Sequence, residues 1–287
     1  MSIQTPTGQP AALVERRIYT SDRPLGAWSQ LRRLAGFVEL FGTLVERDLR
    51  VRYRQTLLGF IWAVLPPVVL MVVFSLFLGR FTKLGDADLP YPVFVYVALL
   101  PWTFFSSSLA SATTSISSNS ALISKVAFPR EILPWTTIAT AGCDFLVGGV
   151  VLGGLLAFYG IPVTWTILMV IPLFALQVVL LAGLTLMLAA FNVHFRDVRH
   201  AVPLLLQIWM FVSPVVYSAR GIPDDYEVAY LVLNPIAALI DGYRRVVLRG
   251  QMPDPVVMVP VAILIVAIFF VCYAFFKRLE FDFADVA

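Results

Sequence analysis

Trp165-TILMVIPLFALQVVLLAGLTLMLAA-Phe191 runs for 27 residues without a single charged side chain. As a helix rising about 1.5 Å per residue it would be roughly 40 Å long, whereas a bilayer's hydrocarbon core is about 30 Å thick and needs roughly 20 apolar residues. The stretch is therefore long enough to cross a membrane. Pro172 and Gly183 within it do not argue otherwise, because such residues are tolerated where neighbouring helices satisfy the freed backbone groups. Reading outward gives five more runs of similar character: Leu57–Gly79, Val93–Ala112, Leu133–Tyr159, Ala201–Ala219 and Val256–Phe276. Continuous runs rather than short alternating segments mean isolated helices, not a barrel. The expected fold is an all-α integral membrane protein with six transmembrane helices.

Composition agrees. Of 287 residues, 59% are hydrophobic and 14% charged, with a mean hydropathy of +0.85; soluble domains carry nearer a quarter charged. The first 30 residues lack the apolar core of a signal peptide, and the first hydrophobic run is already a full span. Cys143 and Cys272 both fall inside spans, which speaks against a structural disulfide, and neither spacing suggests a metal. The pI near 8.9 reflects loop arginines and does not imply nucleic acid. With both ends on one side, that side holds fifteen of the 21 Lys and Arg residues. The positive-inside rule then puts both termini in the cytoplasm.

The segments between spans differ in kind. Residues 1–26 form a polar lead-in. In 27–56, Leu31, Leu34, Phe37, Val38, Phe41, Leu44, Val45 and Leu49 recur at helical spacing between Arg32, Arg33, Glu39, Glu46 and Arg47. That pattern describes an amphipathic helix in the membrane interface, where cations meet anionic lipid heads. The first inner loop, Ser115–Pro134, could hold a short helix with Leu122, Ile123 and Val126 on one face. Pro129 suits a helix's first turn, and Glu131 complements the positive end of its dipole. The second, Asn192–His200, is short and charged. Either could be a short helix or a solvated turn. Between spans five and six, 220–255 reads as a re-entrant or surface-lying helical hairpin, because a seventh span there would bury Asp241, Arg244 and Arg245. Residues 277–287 are a cytoplasmic tail.

Candidate chemistry is sparse. No stretch fits G-x-x-x-x-G-K-[ST], and there is no G-x-S-x-G elbow, HExxH or Cys/His cluster. The chain is read as a translocator that binds no cofactor of its own, is not an enzyme and takes its energy elsewhere. His194 and His200 are six apart and read as polar loop residues. Asp144 is the one ionisable side chain well inside a span, which makes it either a working group or a buried structural contact. Gly148, Gly149, Gly153 and Gly154 put small residues at helical spacing for close packing, within one protomer or between two. Trp62, Trp102, Phe104, Phe105, Trp209, Phe211 and Tyr217 are belt residues, or in part a lining on which sugar rings could stack.

Taken together, five segments resemble the membrane subunit of type-2 ABC exporters of polysaccharides, the O-antigen, capsule and teichoic-acid permeases. They are Arg47-DLRVRYRQTLLGFIW-Ala63, Ser124-KVAFPREILP-Trp135, Phe195-RDVRHAVPLLLQIWMFVSPVVY-Ser218, Leu233-NPIAALIDGYRR-Val246 and Phe276-KRLEFDFAD-Val286. The likeness covers residues 35–286. It implies a homodimer in the bacterial inner membrane, docked on two copies of a separate ABC ATPase that carries ATP and Mg. It implies a coupling helix around Ser120–Glu131, with Asn119, Leu122, Lys125, Phe128, Arg130 and Glu131 facing the ATPase. Arg196, Asp197 and Arg199 would make a second contact. The cargo would be a glycan on an isoprenoid pyrophosphate lipid or a related anchor. Arg47, Arg50, Arg52 and Arg54, near the inner interface, could neutralise such a head, although topology alone also explains them. Tyr53, Trp62, Asp144, Trp209, Phe211 and Tyr217 complete the expected path. The alternatives are a permease of this architecture for a drug or non-glycan lipid, and a proton-coupled carrier using Asp144.

Overall fold

The computed structural model describes residues 27–53, 61–79, 89–125, 128–218 and 224–280, with the backbone alone at 27–36, 124–125 and 224–225. Contacts divide the chain into residues 1–39, which hold the opening turns of the first helix, and 40–287, which hold the bundle. Among the described residues there are ten α-helices and no strand. They are α1 (Ala27–Tyr53), α2 (Ile61–Phe77), α3 (Tyr91–Thr113), α4 (Ser120–Lys125), α5 (Ile132–Phe158), α6 (Val170–His194), α7 (Val198–Val212), α8 (Asp224–Leu233), α9 (Pro235–Leu248) and α10 (Pro255–Leu279). Val126, Arg54 and Leu57–Gly59, singled out above, lie outside the described residues, as does the tail beyond 280.

Among the described residues, four helices are long and apolar enough to cross a membrane: α3, α5, α6 with the 3-10 turn Trp165–Met169 before it, and α10. α2 and α7 are apolar but shorter, at 17 and 15 residues. α7 stops seven residues before the expected end of the fifth span. Its cap, Ser213, is extended and precedes Pro214, and a residue before proline is driven out of helical geometry. The break is thus local chemistry inside an apolar run.

α3 is the axis of the bundle. Its 18-residue core is 78% buried, against 17–28% for the other three long helices, so those present most of their surface outward, as membrane-facing helices do. α6 and α10 pack closely because Gly183 has no side chain: a Cβ there would lie 2.8 Å from Phe269 Cα. Gly148 plays the same part against Leu100 of α3, whereas Gly149, Gly153 and Gly154 have open space beside them. Among the described residues, only Gly148 of the packing face read from the sequence meets a close neighbour inside this chain.

The 220–255 segment contains a helix pair. α9 starts at Pro235 under an Asn234 cap, and twelve of its fourteen residues are buried against α3, α6 and α10. It lies in the core rather than along a surface. Arg244, read above as a loop charge, is 3% exposed. Its guanidinium sits 3.7 Å over the Phe94 ring and donates to the carbonyls of Phe94, Pro214, Val215 and Tyr217. Those last three carbonyls belong to the non-helical stretch that follows α7, so one arginine satisfies acceptors that no helix pairs.

Candidate functional site

At one end of the bundle, here the loop end, α3 runs into a 3-10 turn (Ser117–Asn119) and then α4. Of the two readings left open for the first loop, a short helix or a solvated turn, the helix is the one present. The second loop is not a helix of its own: Phe195–Asp197 turn directly into α7. Asn192 is buried and donates to Ser117 Oγ at 3.2 Å, bringing the two loops side by side. Arg196, Asp197 and Arg199 are exposed beside them, and Leu122 and Phe128 are half-buried. Lys125 ends α4.

Arg130 is half-buried and Glu131 buried, and both are engaged by the end of α10. Arg130 Nη1 donates to the Glu280 carbonyl at 2.7 Å. The Glu131 side chain is 7% exposed and pairs with Lys277, which also reaches Glu280 at 2.8 Å. Glu131 occupies the α5 cap without capping it through its side chain, and Pro129 precedes the helix rather than sitting in its first turn. The loop is thereby fastened to the last turns of α10.

The C-terminal turns of α1 form the second part of the site. Arg50 pairs with Glu46 on an exposed face. Arg47 is held by Asp48 at 2.9 Å and Asn119 at 3.2 Å. Arg52 and Tyr53, next in sequence, both donate to Asp144 of α5, the arginine at 2.5 Å. Asp144 therefore has a counter-charge from another helix, which sequence reading could not supply. Burial first, then the hydrogen bond and proximity of this carboxylate, push the Tyr53 phenol up to about 12. It stays protonated and remains a donor at neutral pH.

Above this triad lies a cavity of about 250 Å³ among α2, α3 and α5. Trp62, Pro66, Phe104 and Phe145 wall it, with Arg52, Tyr53 and Asp144 as its polar edge. A second opening of about 530 Å³ lies toward the loop end and shares Arg52. Trp62 is half exposed and lines the first cavity. Trp209 instead donates to Asn234 at 3.1 Å and meets Phe105 edge-on, and Tyr217 closes the α7 break through the carbonyls of Phe211 and Val212. Phe211 is exposed. Sequence reading missed a buried polar string in the core: Tyr243 donates to Gln177 Oε1 at 3.1 Å, and Gln177 donates to the Pro101 carbonyl at 2.8 Å. A lone glutamine near the centre of the charge-free run Trp165–Phe191 was the available signal. Among the described residues no group of His, Cys, Asp and Glu could hold a metal.

Long apolar helices with a polar-edged cavity between them describe an integral membrane protein. The chain belongs to the ABC-2 type transporter family, whose model matches residues 39–248. It is 33% identical over 257 residues to the O-antigen export system permease protein RfbA of Myxococcus xanthus, covering 89% of this chain and 98% of that one. An O-antigen export system permease protein RfbA of Klebsiella pneumoniae is 28% identical over 216 residues, covering 75% and 82%. The polysialic acid transport protein KpsM of Escherichia coli is 24% identical over 242 residues, covering 83% and 92%.

Proposed function

We propose that this chain is the transmembrane subunit of an ATP-driven ABC transporter that exports lipid-linked polysaccharide across the cytoplasmic membrane. The observation that carries the reading is the end-to-end relation to an O-antigen export permease, 33% identical over 98% of its length. Two other relatives named for glycan transport support the same cargo class.

In this reading the permease works as a homodimer with two ATPase subunits, which bind the ATP and Mg. The loop end, with α4 and the exposed Arg196, Asp197 and Arg199, faces the ATPase. Both termini lie in the cytoplasm, as the arginine-rich end of α1 and Lys277-Arg278 favour. α2 and α7 add two crossings to the four long helices. The α8–α9 pair re-enters the bundle at the outer face. The exposed guanidiniums at the end of α1, Arg50 foremost, meet the phosphate layer and the diphosphate of the incoming lipid.

The test is export into sealed vesicles of purified transporter, supplied with a lipid-linked glycan at the ATPase face. ATP-dependent accumulation of glycan inside is the expected result. Accumulation of a drug or simple lipid in preference to glycan would support the other ABC-2 cargo class instead.

A further inference from the structure

We infer that the 530 Å³ cleft at the loop end is a carbohydrate subsite, which takes the sugar units nearest the lipid anchor by accepting hydrogen bonds from their hydroxyls. The inference rests on the polysaccharide reading and says where in this chain sugar is recognised. The cleft lies between the end of α1, the end of α3 and the start of α5, and its size is that of a small-molecule site.

Its lining has an uncommon polarity. Six hydroxyls wall it, Ser111 among them, and the other five have already given their protons to nearby backbone carbonyls. Thr136 donates to the Leu133 carbonyl at 2.7 Å, Thr137 to Pro134 at 2.7 Å and Thr140 to Thr136 at 2.8 Å. Ser115 donates to Ala112 at 2.7 Å and Ser118 to Thr114 at 2.7 Å. A hydroxyl has one proton and two lone pairs, so what these five can still offer a ligand is acceptors. An acceptor-rich wall suits a ligand with many O–H donors.

The charges on the cleft point the same way. Its two guanidiniums are each opposed by a carboxylate, Arg47 by Asp48 and Arg52 by Asp144. A phosphate would have to compete with those carboxylates and would face spent hydroxyls. A polyol both donates and accepts, so it can use the threonine and serine lone pairs, the Asp48 carboxylate and the remaining guanidinium N–H groups together. Arg47 is fixed in place by Asn119, which is itself anchored to the Ser115 carbonyl at 2.8 Å. Such a donor loses little freedom on binding. Arg52 also edges the aromatic-walled cavity, so a sugar seated in the cleft adjoins the interior of the bundle.

The experiment measures binding of two probes to the purified transporter in nanodiscs: a polyprenyl diphosphate carrying a disaccharide, and the same lipid without sugar. The variant is Thr136→Val with Thr140→Val, which keeps shape and removes two acceptors. Affinity for the glycosylated lipid should fall about tenfold, as expected for two neutral hydrogen bonds, with the bare lipid unchanged. Ser at both positions should restore it. Ser118→Ala with Thr137→Val, nearer the cleft mouth, should give a smaller loss of the same selectivity and serves if the first variant does not fold. Equal losses for both probes, or unchanged affinity for the glycosylated one, would overturn the subsite. A native transporter that binds both lipids equally would overturn the glycan reading itself.

Discussion

Arg52 donates to Asp144 at 2.5 Å across 92 residues of sequence, so the carboxylate set deepest in an apolar helix is neutralised by the end of α1. The pair is partly exposed, with side chains at 35% and 18%, and the Tyr53 hydroxyl completes the carboxylate's hydrogen bonding. The contact ties α1 to α5 at the edge of the cavity. It also gives Asp144 a structural reason to be where it is, which a free proton relay would lack.

Removing one partner is therefore expected to cost more than removing both. Asp144→Asn leaves the Arg52 cation facing an apolar cavity, and should lower stability by about 1–3 kcal/mol. Combining it with Arg52→Gln should recover at least half of that loss. Thermal melting of the four proteins in one detergent provides the cycle, and additive losses would contradict the pairing.

Lys277 and Glu131 form the second long-range tie, between the α10 end and the start of α5. Because Glu131 is nearly buried, Lys277→Ala should destabilise by about 2 kcal/mol. The more telling expectation concerns coupling. If the loop transmits force through this tie, Lys277→Ala should lower glycan export severalfold more than ATP hydrolysis, and the exchanged pair Lys277→Glu with Glu131→Lys should restore the ratio. A parallel fall in both activities, without rescue, would reduce the tie to a structural clasp.

Two glycines should behave oppositely. Gly183→Ala drives a methyl against the Phe269 backbone, and α6 and α10 must separate, at about 1–3 kcal/mol. Gly142→Ala meets only Phe174 and Phe104 ring atoms at 3.8–3.9 Å, an ordinary contact, and should be neutral or slightly stabilising through helix propensity. Comparing the two melting temperatures checks the helix crossing directly.

Arg244→Lys tests the joint between α9 and the broken α7. A lysine keeps the charge but loses the planar fork that reaches the Phe94 carbonyl and those of the 214–217 segment and stacks on the Phe94 ring. Export should fall and stability should drop by about 2–3 kcal/mol. Unchanged behaviour would mean that the 213–217 break holds itself.

The long helices were legible because α3, α5, α6 and α10 each carry an unbroken apolar run, and hydropathy reads such runs directly. α7 was overestimated because hydropathy does not register the helix break at Ser213-Pro214. α9 announced its start through Asn234-Pro235, but not its burial. Its core position depends on Arg244 finding carbonyls thirty residues upstream, which no local pattern encodes. The site divides along the same line. Arg47, Arg52, Tyr53, Trp62 and Asp144 were each recognisable as unusual in their surroundings. That Arg52 belongs with Asp144, and Glu131 with Lys277, depends on helices packed together from distant parts of the chain.

In the proposed function this permease moves glycan only when an ATPase drives it from the loop end. Proteoliposomes holding the chain with and without its ATPase, loaded with lipid-linked glycan and given either ATP or an imposed proton gradient, measure this most directly. Glycan should cross only where ATPase and ATP are both present, regardless of the gradient, and Asp144→Asn should leave that ATP requirement intact. Transport by the chain alone under a proton gradient, abolished by Asp144→Asn, would contradict the account.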